Sequence, residues 1–559
     1  MKKNTKKVSR GKTKFDHRKE RSKSTDWLKY KKYAYPVLVG IILFVALFVR
    51  IYHLESLPPG VYPDEAIHGT DAIQANEASH WKLFYENNYG REGLFINLIA
   101  LGFKLFGVSA ATLRIWSAAF GIFTVLGMIL LARELFGGWR AGAIAGFLTA
   151  TSFWHLNFSR IAFRAIMLPF VLVFSFYFLL RGLRTKKLYN YILAGVFFGL
   201  GIHTYIAFRI APLILIALLA ALIAAKKNFL KNHWKEIAVF TLLALLTASP
   251  MLADFYSHPE HFSARTGSVS VLNPEVNQGH LFKALGISAA LNLGSFNFHG
   301  DQNWRHNLPS QPELQFIIGL FFLAGLGYLA WQFFHLMYQR IKNRKHNDNL
   351  AITVLLLSWF AVMLLPGILT YEGLPHSLRV IGALPAVLLI SACFIELVFR
   401  QTDKIKSANL KTVIYIFLIL SITWSGFVSV KRYFIDWGQS LEVRQAFNQN
   451  FTEMAAYLNE LPEDINKYVV VNGGGKTMDD GLPISAHVIK LLTYSKTPSI
   501  SYLDPNFNPA SLKPIAKVVL MNYDKGIENK IRAVFSNAIT MKVISQPGSE
   551  IDFFVININ

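Results

Sequence analysis

From position 35 to about 429 the sequence alternates long apolar runs with short polar ones. Runs long enough to cross a bilayer as helices fall at about 35–52, 109–134, 139–157, 164–183, 188–204, 208–225, 235–253, 315–337, 350–369, 377–399 and 410–429. The pattern predicts about eleven transmembrane helices. A further apolar stretch, 93–107, is too short to cross and is expected to lie along the membrane surface. In the first run, Ala46-Leu47-Phe48-Val49-Arg50 has no small-residue cleavage site, so this run is expected to remain as a helix rather than leave as a signal peptide.

The flanks follow other patterns. Residues 1–32 are dense in Lys and Arg with almost no apolar positions, and are expected to lack regular structure and to be held by charge at an anionic cytoplasmic leaflet. Beyond position 430, 441–461 reads as a helix, and Tyr468-Val469-Val470-Val471 and Lys517-Val518-Val519-Leu520-Met521 read as buried strands. Helical stretches near 484–494 and 525–535 alternate with them, which suggests a small α/β domain. Gly473-Gly474-Gly475 follows a strand but completes neither nucleotide-binding fingerprint, and reads as a turn. The predicted architecture is an all-α polytopic membrane protein over 33–430, preceded by the basic tail 1–32 and followed by a C-terminal α/β domain over 431–559.

Charge orients this array. Basic clusters recur in alternate connections, at Arg181-Arg184-Lys186-Lys187, Lys226-Lys227-Lys231-Lys235, Arg340-Lys342-Arg344-Lys345 and Lys404-Lys406-Lys411. All fall on the side of the basic N-terminus, which the positive-inside rule makes cytoplasmic. The connections 53–108 and 254–314 and the C-terminal domain then face the other way, out of a plasma membrane crossed many times. The formal net charge of +23 therefore belongs to membrane topology and not to nucleic acid. A composition of 53% hydrophobic against 16% charged residues supports the same class. The single cysteine, Cys393, lies in an apolar run and excludes an internal disulfide or a cysteine-built metal site.

Candidate chemistry concentrates on the outer side. Pro58-Pro59-Gly60 breaks the chain leaving the first helix, and Pro63 is placed to open the next one. Asp64 and Glu65 then fall in a first helical turn, where the helix dipole favours an ionised carboxylate. Asp64, His68 and Asp71 share one helical face and offer hard oxygens with an imidazole, a candidate set for a divalent metal. Arg160 and Arg164 flank a very short outer connection, and His203 and Arg209 bracket another. Asp254, His258, His261 and Arg265 follow the seventh run, and Pro375-His376-Ser377-Leu378-Arg379 enters the tenth. So many cations at an outer membrane edge oppose the positive-inside bias, and snorkelling to headgroups accounts for one or two of them at most. Carboxylates facing arginines suit displacement of a lipid-linked phosphate from a sugar. One carboxylate would take the acceptor's proton while Arg160, Arg164, Arg265 and Arg379 stabilise the departing phosphate.

The Asp64-Glu65 pair in a first outer loop resembles the C-type membrane glycosyltransferases, specifically the bacterial relatives of protein O-mannosyltransferases and of the aminoarabinose transferase. Gly90-Arg91-Glu92-Gly93-Leu94-Phe95 is similar to the motif those proteins carry before a juxtamembrane helix, with Gly93 where proline is common. Ser159-Arg160-Ile161-Ala162-Phe163-Arg164-Ala165, Gly300-Asp301-Gln302-Asn303-Trp304-Arg305-His306-Asn307 and Pro375-His376-Ser377-Leu378-Arg379 also resemble that group. The resemblance covers roughly 33–430. It implies an inverting transferase that uses a polyprenyl-phosphate sugar as donor, with Asp64 as base and Glu65 in support. It also brings Arg91, Glu92, Arg160, Arg164, Asp301, Arg305, His376 and Arg379 into the expected substrate site, beside His203 and Arg265. The acceptor hydroxyl would belong to a protein, a polysaccharide or a lipid.

A transporter or lipid-linked-sugar flippase is the competing class, with the same helix count. Transporters place polar groups near the midplane on broken helices and often show internal repeats. Here the centres of the runs are clean and no repeat is visible, which favours an enzyme. A ligand-binding receptor would need far fewer than eleven helices as its anchor.

Overall fold

The computed structural model describes residues 16–263, 269–343, 346–496, 500–544 and 552–559. Arg265, Arg344 and Lys345 lie outside these residues. Among the described residues, nine helices are long and apolar enough to cross a membrane, in place of the eleven expected. The first, α1 (Asp16–Ile51), reaches back from its apolar part into the stretch expected to be unstructured. Lys, Arg and Glu are good helix formers, and an adjoining helix removes the cost of nucleation.

Two expected spans differ in kind. The run 139–157 forms two helices, α5 (Trp139–Thr151) and α6 (Phe153–Phe158), parted at Ser152. There the backbone leaves helical geometry, with ψ 124°, and the Ser152 hydroxyl accepts from the N–H of His155 to cap the second piece. The run 188–204 becomes α8 (Leu188–Leu200) and a 3₁₀ turn, Gly201–His203. Elsewhere the ends carry ordinary signals. The helix α4 (Ala110–Phe136) starts where Ser109 Oγ accepts from Thr112 N at 3.1 Å. It stops at Gly137, whose φ of 73° is the left-handed geometry that glycine adopts at no cost.

Between α1 and α4 lie the parts that build the candidate site. These are α2 (Pro63–Glu77), the paired strands β1 (Phe84–Tyr85) and β2 (Arg91–Glu92), and the short apolar helix α3 (Leu94–Phe106). At about 1.5 Å per residue α3 is some 20 Å long, too short to span. It packs on α2 and α4. The bundle continues with α7 (Met167–Thr185), α9 (Pro212–Ala225) and α10 (Phe229–Ser257), and α8 packs between α7 and α10. Helices Phe316–Asn343, Asn349–Ile368, Leu384–Asp403 and Ala408–Lys431 complete it. The connection 254–314, expected as a loop, also holds an apolar helix, Leu281–Gly294.

After the bundle, the expected helix 441–461 divides into Leu441–Ala446 and Gln449–Glu460 about Asn448, at φ 51°. A five-stranded sheet follows, in the order β4-β3-β5-β7-β6. Strands β3 (Asn466–Val470), β4 (Ile500–Leu503) and β5 (Ala516–Leu520) are parallel. β6 (Ile539–Ile544) and β7 (Asp552–Ile558) join antiparallel at one edge. Gly473, Gly474 and Gly475 lie in an irregular connection after β3, as expected of a turn. This unit does not stand apart from the membrane part. Phe451, Val469 and Val555 share one buried core with Val61, Ala66 and Phe95 of the connection between α1 and α4.

Candidate active site

The connection between α1 and α4 is fixed by a buried ion pair. Pro63 opens α2, and Glu65 in its first turn is fully buried. Its Oε1 accepts from Arg114 Nε at 3.0 Å and Ala162 N at 2.8 Å, and its Oε2 from Arg114 Nη2 and Tyr62 N, both at 3.1 Å. Arg114, on α4, also donates to the carbonyls of Leu54, Pro58 and Gly60. Gly60 has φ 80°, and a Cβ there would lie 2.7 Å from the Phe447 carbonyl, so this tight passage requires glycine. Glu65 thus joins three segments and leaves no lone pair for a substrate. Expected in support of Asp64, Glu65 touches only protein groups and holds the position of the loop.

Asp64 is different. It is half-buried, and its Oδ1 accepts from Asn88 Nδ2 at 2.6 Å. Asn88, Tyr89 and Gly90 run through consecutive left-handed conformations, with φ of 49°, 67° and 79°. Two contacts from the C-terminal sheet domain hold this turn. Lys476 sits 4.2 Å over the Tyr89 ring, and Asp479 N donates to Asn87 Oδ1 at 3.4 Å.

Behind the same turn opens a cavity of about 330 Å³. Tyr89, Gly90, Glu92, Arg164, Arg209, His376 and Arg379 contribute to its polar wall, and Phe84, Ile206, Leu369 and Leu378 to its apolar one. Glu92 braces two of the arginines, accepting from Arg164 Nε at 2.8 Å and Arg209 Nη2 at 3.3 Å. Burial pushes the Glu92 carboxyl up, but the two guanidiniums prevail and hold it below its ordinary value. Two guanidiniums against one carboxylate leave this wall net positive. Arg379 pairs with Glu372 at 2.8 Å on the opposite rim. The cavity therefore offers cationic donors beside an apolar surface, with a carboxylate around the corner of one turn.

Several expected residues lie elsewhere. Arg160 is fully buried and donates to the carbonyls of Val49, Tyr52, His53 and Leu57 and to the Tyr433 hydroxyl. Those carbonyls end α1 and begin the loop after it, so Arg160 caps a helix terminus and has no place on a phosphate. Arg91 is buried against Asp71, with its Nε on the Asn87 carbonyl at 3.0 Å. That pairing occupies Asp71, whose Oδ1 also accepts from Asn87. His68 is buried with Nδ1 on the Ala162 carbonyl at 2.8 Å, and burial holds its pKa well below 6.5. Asp64, His68 and Asp71 are accordingly not among the groups whose ligand atoms converge. His203 ties to the Thr247 carbonyl at 3.0 Å. Arg209, its partner in bracketing that connection, is the one that reaches the cavity. Arg305 stacks 4.3 Å over Tyr62, and Asp301 pairs with His306 at 2.8 Å. Arg114 escapes the sequence reading because nothing local separates it from any other arginine in an apolar run.

Residues 94–253 match the family model described as dolichyl-phosphate-mannose-protein mannosyltransferase. No curated protein sequence matches the chain. Among solved structures, the fold is similar to ArnT from Cupriavidus metallidurans in the apo state. The TM-score is 0.53 and the identity 13%, over 96% of this chain and 98% of that one. The same protein bound to undecaprenyl phosphate matches with a TM-score of 0.50 and 13% identity, over 94% and 98% of the two chains. The chain is a multi-pass membrane protein with the fold of the C-type membrane glycosyltransferases.

Proposed function

We propose that the chain transfers a sugar from a polyprenyl-phosphate donor to an acceptor hydroxyl, with inversion, on the outer face of the membrane. The observation that carries this reading is the adjacency of the Asp64 carboxylate and the cationic, apolar-sided cavity across the turn 88–90. The description of the matched family and the lipid phosphate held by a protein of the same fold point to the same donor class.

In the reaction, Asp64 takes the proton of the acceptor hydroxyl as the oxygen attacks the anomeric carbon. The bond from that carbon to the phosphate oxygen breaks, and the electron pair leaves with the lipid phosphate. Arg164 and Arg209, braced by Glu92, and Arg379 stabilise the charge that develops there. The proton on Asp64 then passes to solvent. The apolar wall takes the first isoprenoid carbons, which explains why the cavity sits among helix ends.

The same reading sets topology. For Arg181 to Lys187 to face the cytoplasm with the N-terminus, the paired helices α5–α6 must cross, and for Lys226 to Lys235 to face it as well, the short α8 must cross. Nine or eleven crossings are odd alike, so the C-terminal sheet domain stands outside the plasma membrane with the loop it grips.

The test is transfer by the purified protein in lipid, given labelled polyprenyl-phosphate sugars and mixed protein, polysaccharide and lipid acceptors. Product formation that disappears in Asp64→Asn supports the reading. A folded native protein that moves no sugar from any donor overturns it.

A further inference from the structure

The cavity wall that carries His376 leads to a buried group the proposed transfer does not use. Asp301 Oδ2 accepts from the N–H of Ser377 at 2.8 Å and meets Nδ1 of His306 at 2.8 Å. Nδ1 of His376 lies 3.9 Å from the same oxygen, and the two imidazole rings are 4.8 Å apart. Asp301 and His306 are 2% and 3% exposed, while His376 borders the cavity. One ligand atom from each of the three lies within 4.8 Å of the others.

A zinc ion holds nitrogen and oxygen ligands at about 2.0–2.2 Å, which separates tetrahedral neighbours by about 3.4 Å. The 2.8 and 3.9 Å observed lie on either side of that value. Small side-chain rotations therefore open the group around an ion without moving the backbone. The surroundings also hold more acceptors than donors. Asn307 Oδ1 and Asn157 Oδ1 are buried with no hydrogen-bond partner, and burial pushes the neighbouring Glu313 carboxyl up to about 8. Each belongs to a side chain tied to this loop: Glu313 Oε1 accepts from Asp301 N, Asn307 Nδ2 donates to the Gln311 carbonyl, and Asn157 Nδ2 to those of Arg305 and His306. The ion pairs of Asp301 are with imidazoles. Such an acceptor-rich interior is what a cation stabilises.

We propose that Asp301, His306 and His376 bind one divalent cation of the zinc class, with its open coordination position towards the cavity. Two imidazoles and a carboxylate favour zinc over magnesium or calcium, which prefer all-oxygen shells. Three protein ligands leave a fourth position for an oxygen from solvent or substrate. An ion there would meet a phosphate oxygen of the lipid donor. That use rests on the transferase reading, whereas the site itself does not.

The full chain, purified in detergent and stripped with a chelator, is dialysed against Zn²⁺, and bound metal is counted by mass spectrometry. Asp254, His258 and His261 form a second group within reach of an ion, with His258 half exposed, and His258→Gln serves as the control. The expected result is that His306→Gln and His376→Gln each bind one equivalent less than the native chain, and that His258→Gln does not lose that equivalent. Zinc should raise the melting temperature of His258→Gln, and adding His376→Gln to that variant should abolish the rise. Should His306→Gln fail to fold, the less buried His376→Gln carries the comparison. A native chain that binds no zinc, or one that loses no equivalent to His376→Gln, overturns the proposal. Zinc bound at this site in a chain that transfers no sugar leaves the site standing and removes only its proposed use.

Discussion

Glu65 and Arg114 meet at two points, Nε to Oε1 at 3.0 Å and Nη2 to Oε2 at 3.1 Å, with neither side chain exposed. Removing one partner leaves the other charge buried and unpaired, which typically costs about 3–5 kcal/mol. Glu65→Gln and Arg114→Gln should therefore lower the unfolding temperature sharply, by melting of the purified proteins. An unchanged melting temperature in both would contradict the clamp.

Asp64, one residue away, should behave in the opposite manner. Asp64→Asn keeps shape and the contact with Asn88, so stability and donor binding should stay near native. The loss of a general base reduces the transfer rate by about 10²–10⁴. The measurement is rate at saturating donor beside the melting curve, and a fully active Asp64→Asn protein would remove Asp64 as the base.

The arginines separate in the same way. Arg164→Gln or Arg209→Gln should weaken binding of a lipid-phosphate donor by about 1.5–3 kcal/mol, the worth of a charged hydrogen bond. Arg160→Gln should lose stability instead, because its guanidinium ends a helix. Direct donor titration of the three variants, alongside their melting curves, decides the assignment.

Acid should loosen the cavity through Glu92. Its carboxyl is held below the ordinary 4.5 by Arg164 and Arg209. The unfolded chain thus takes up protons first, and the stability Glu92 contributes is complete above pH 4.5 and lost as pH falls through its lower folded value. Other depressed carboxyls add to acid sensitivity, so the comparison is with Glu92→Gln. That variant should be less stable at neutral pH, with the difference from native shrinking below pH 4.5.

The membrane part is largely legible because a bilayer demands long apolar runs, and the positions of the helices follow from those runs alone. Ser152 is not legible in this way. A serine inside an apolar run breaks the helix here only because His155 N is capped by its hydroxyl, and Leu281–Gly294 is too short to stand out from a loop. In the site, proline and glycine mark the turn that presents Asp64. Arg160 and Arg164 are four residues apart in similar surroundings, yet one caps α1 and the other faces the cavity. The partners that decide this, Val49 and Tyr52 for one and Glu92 for the other, are distant in sequence. Local pattern carries no trace of them.

The grip of the sheet domain on the turn 87–90 has a consequence for how the protein is made. Asp479 follows Asn87 by 392 residues. At roughly 5–20 residues per second, a ribosome needs about 20–80 s to bring the second after the first. During that interval the turn bearing Asn88 exists without Lys476 on Tyr89, and three successive left-handed residues have no outer support. A nascent chain thus carries its membrane helices well before it carries a set site. The turn is held on both sides only once the sheet domain has been made, after the membrane helices that precede it.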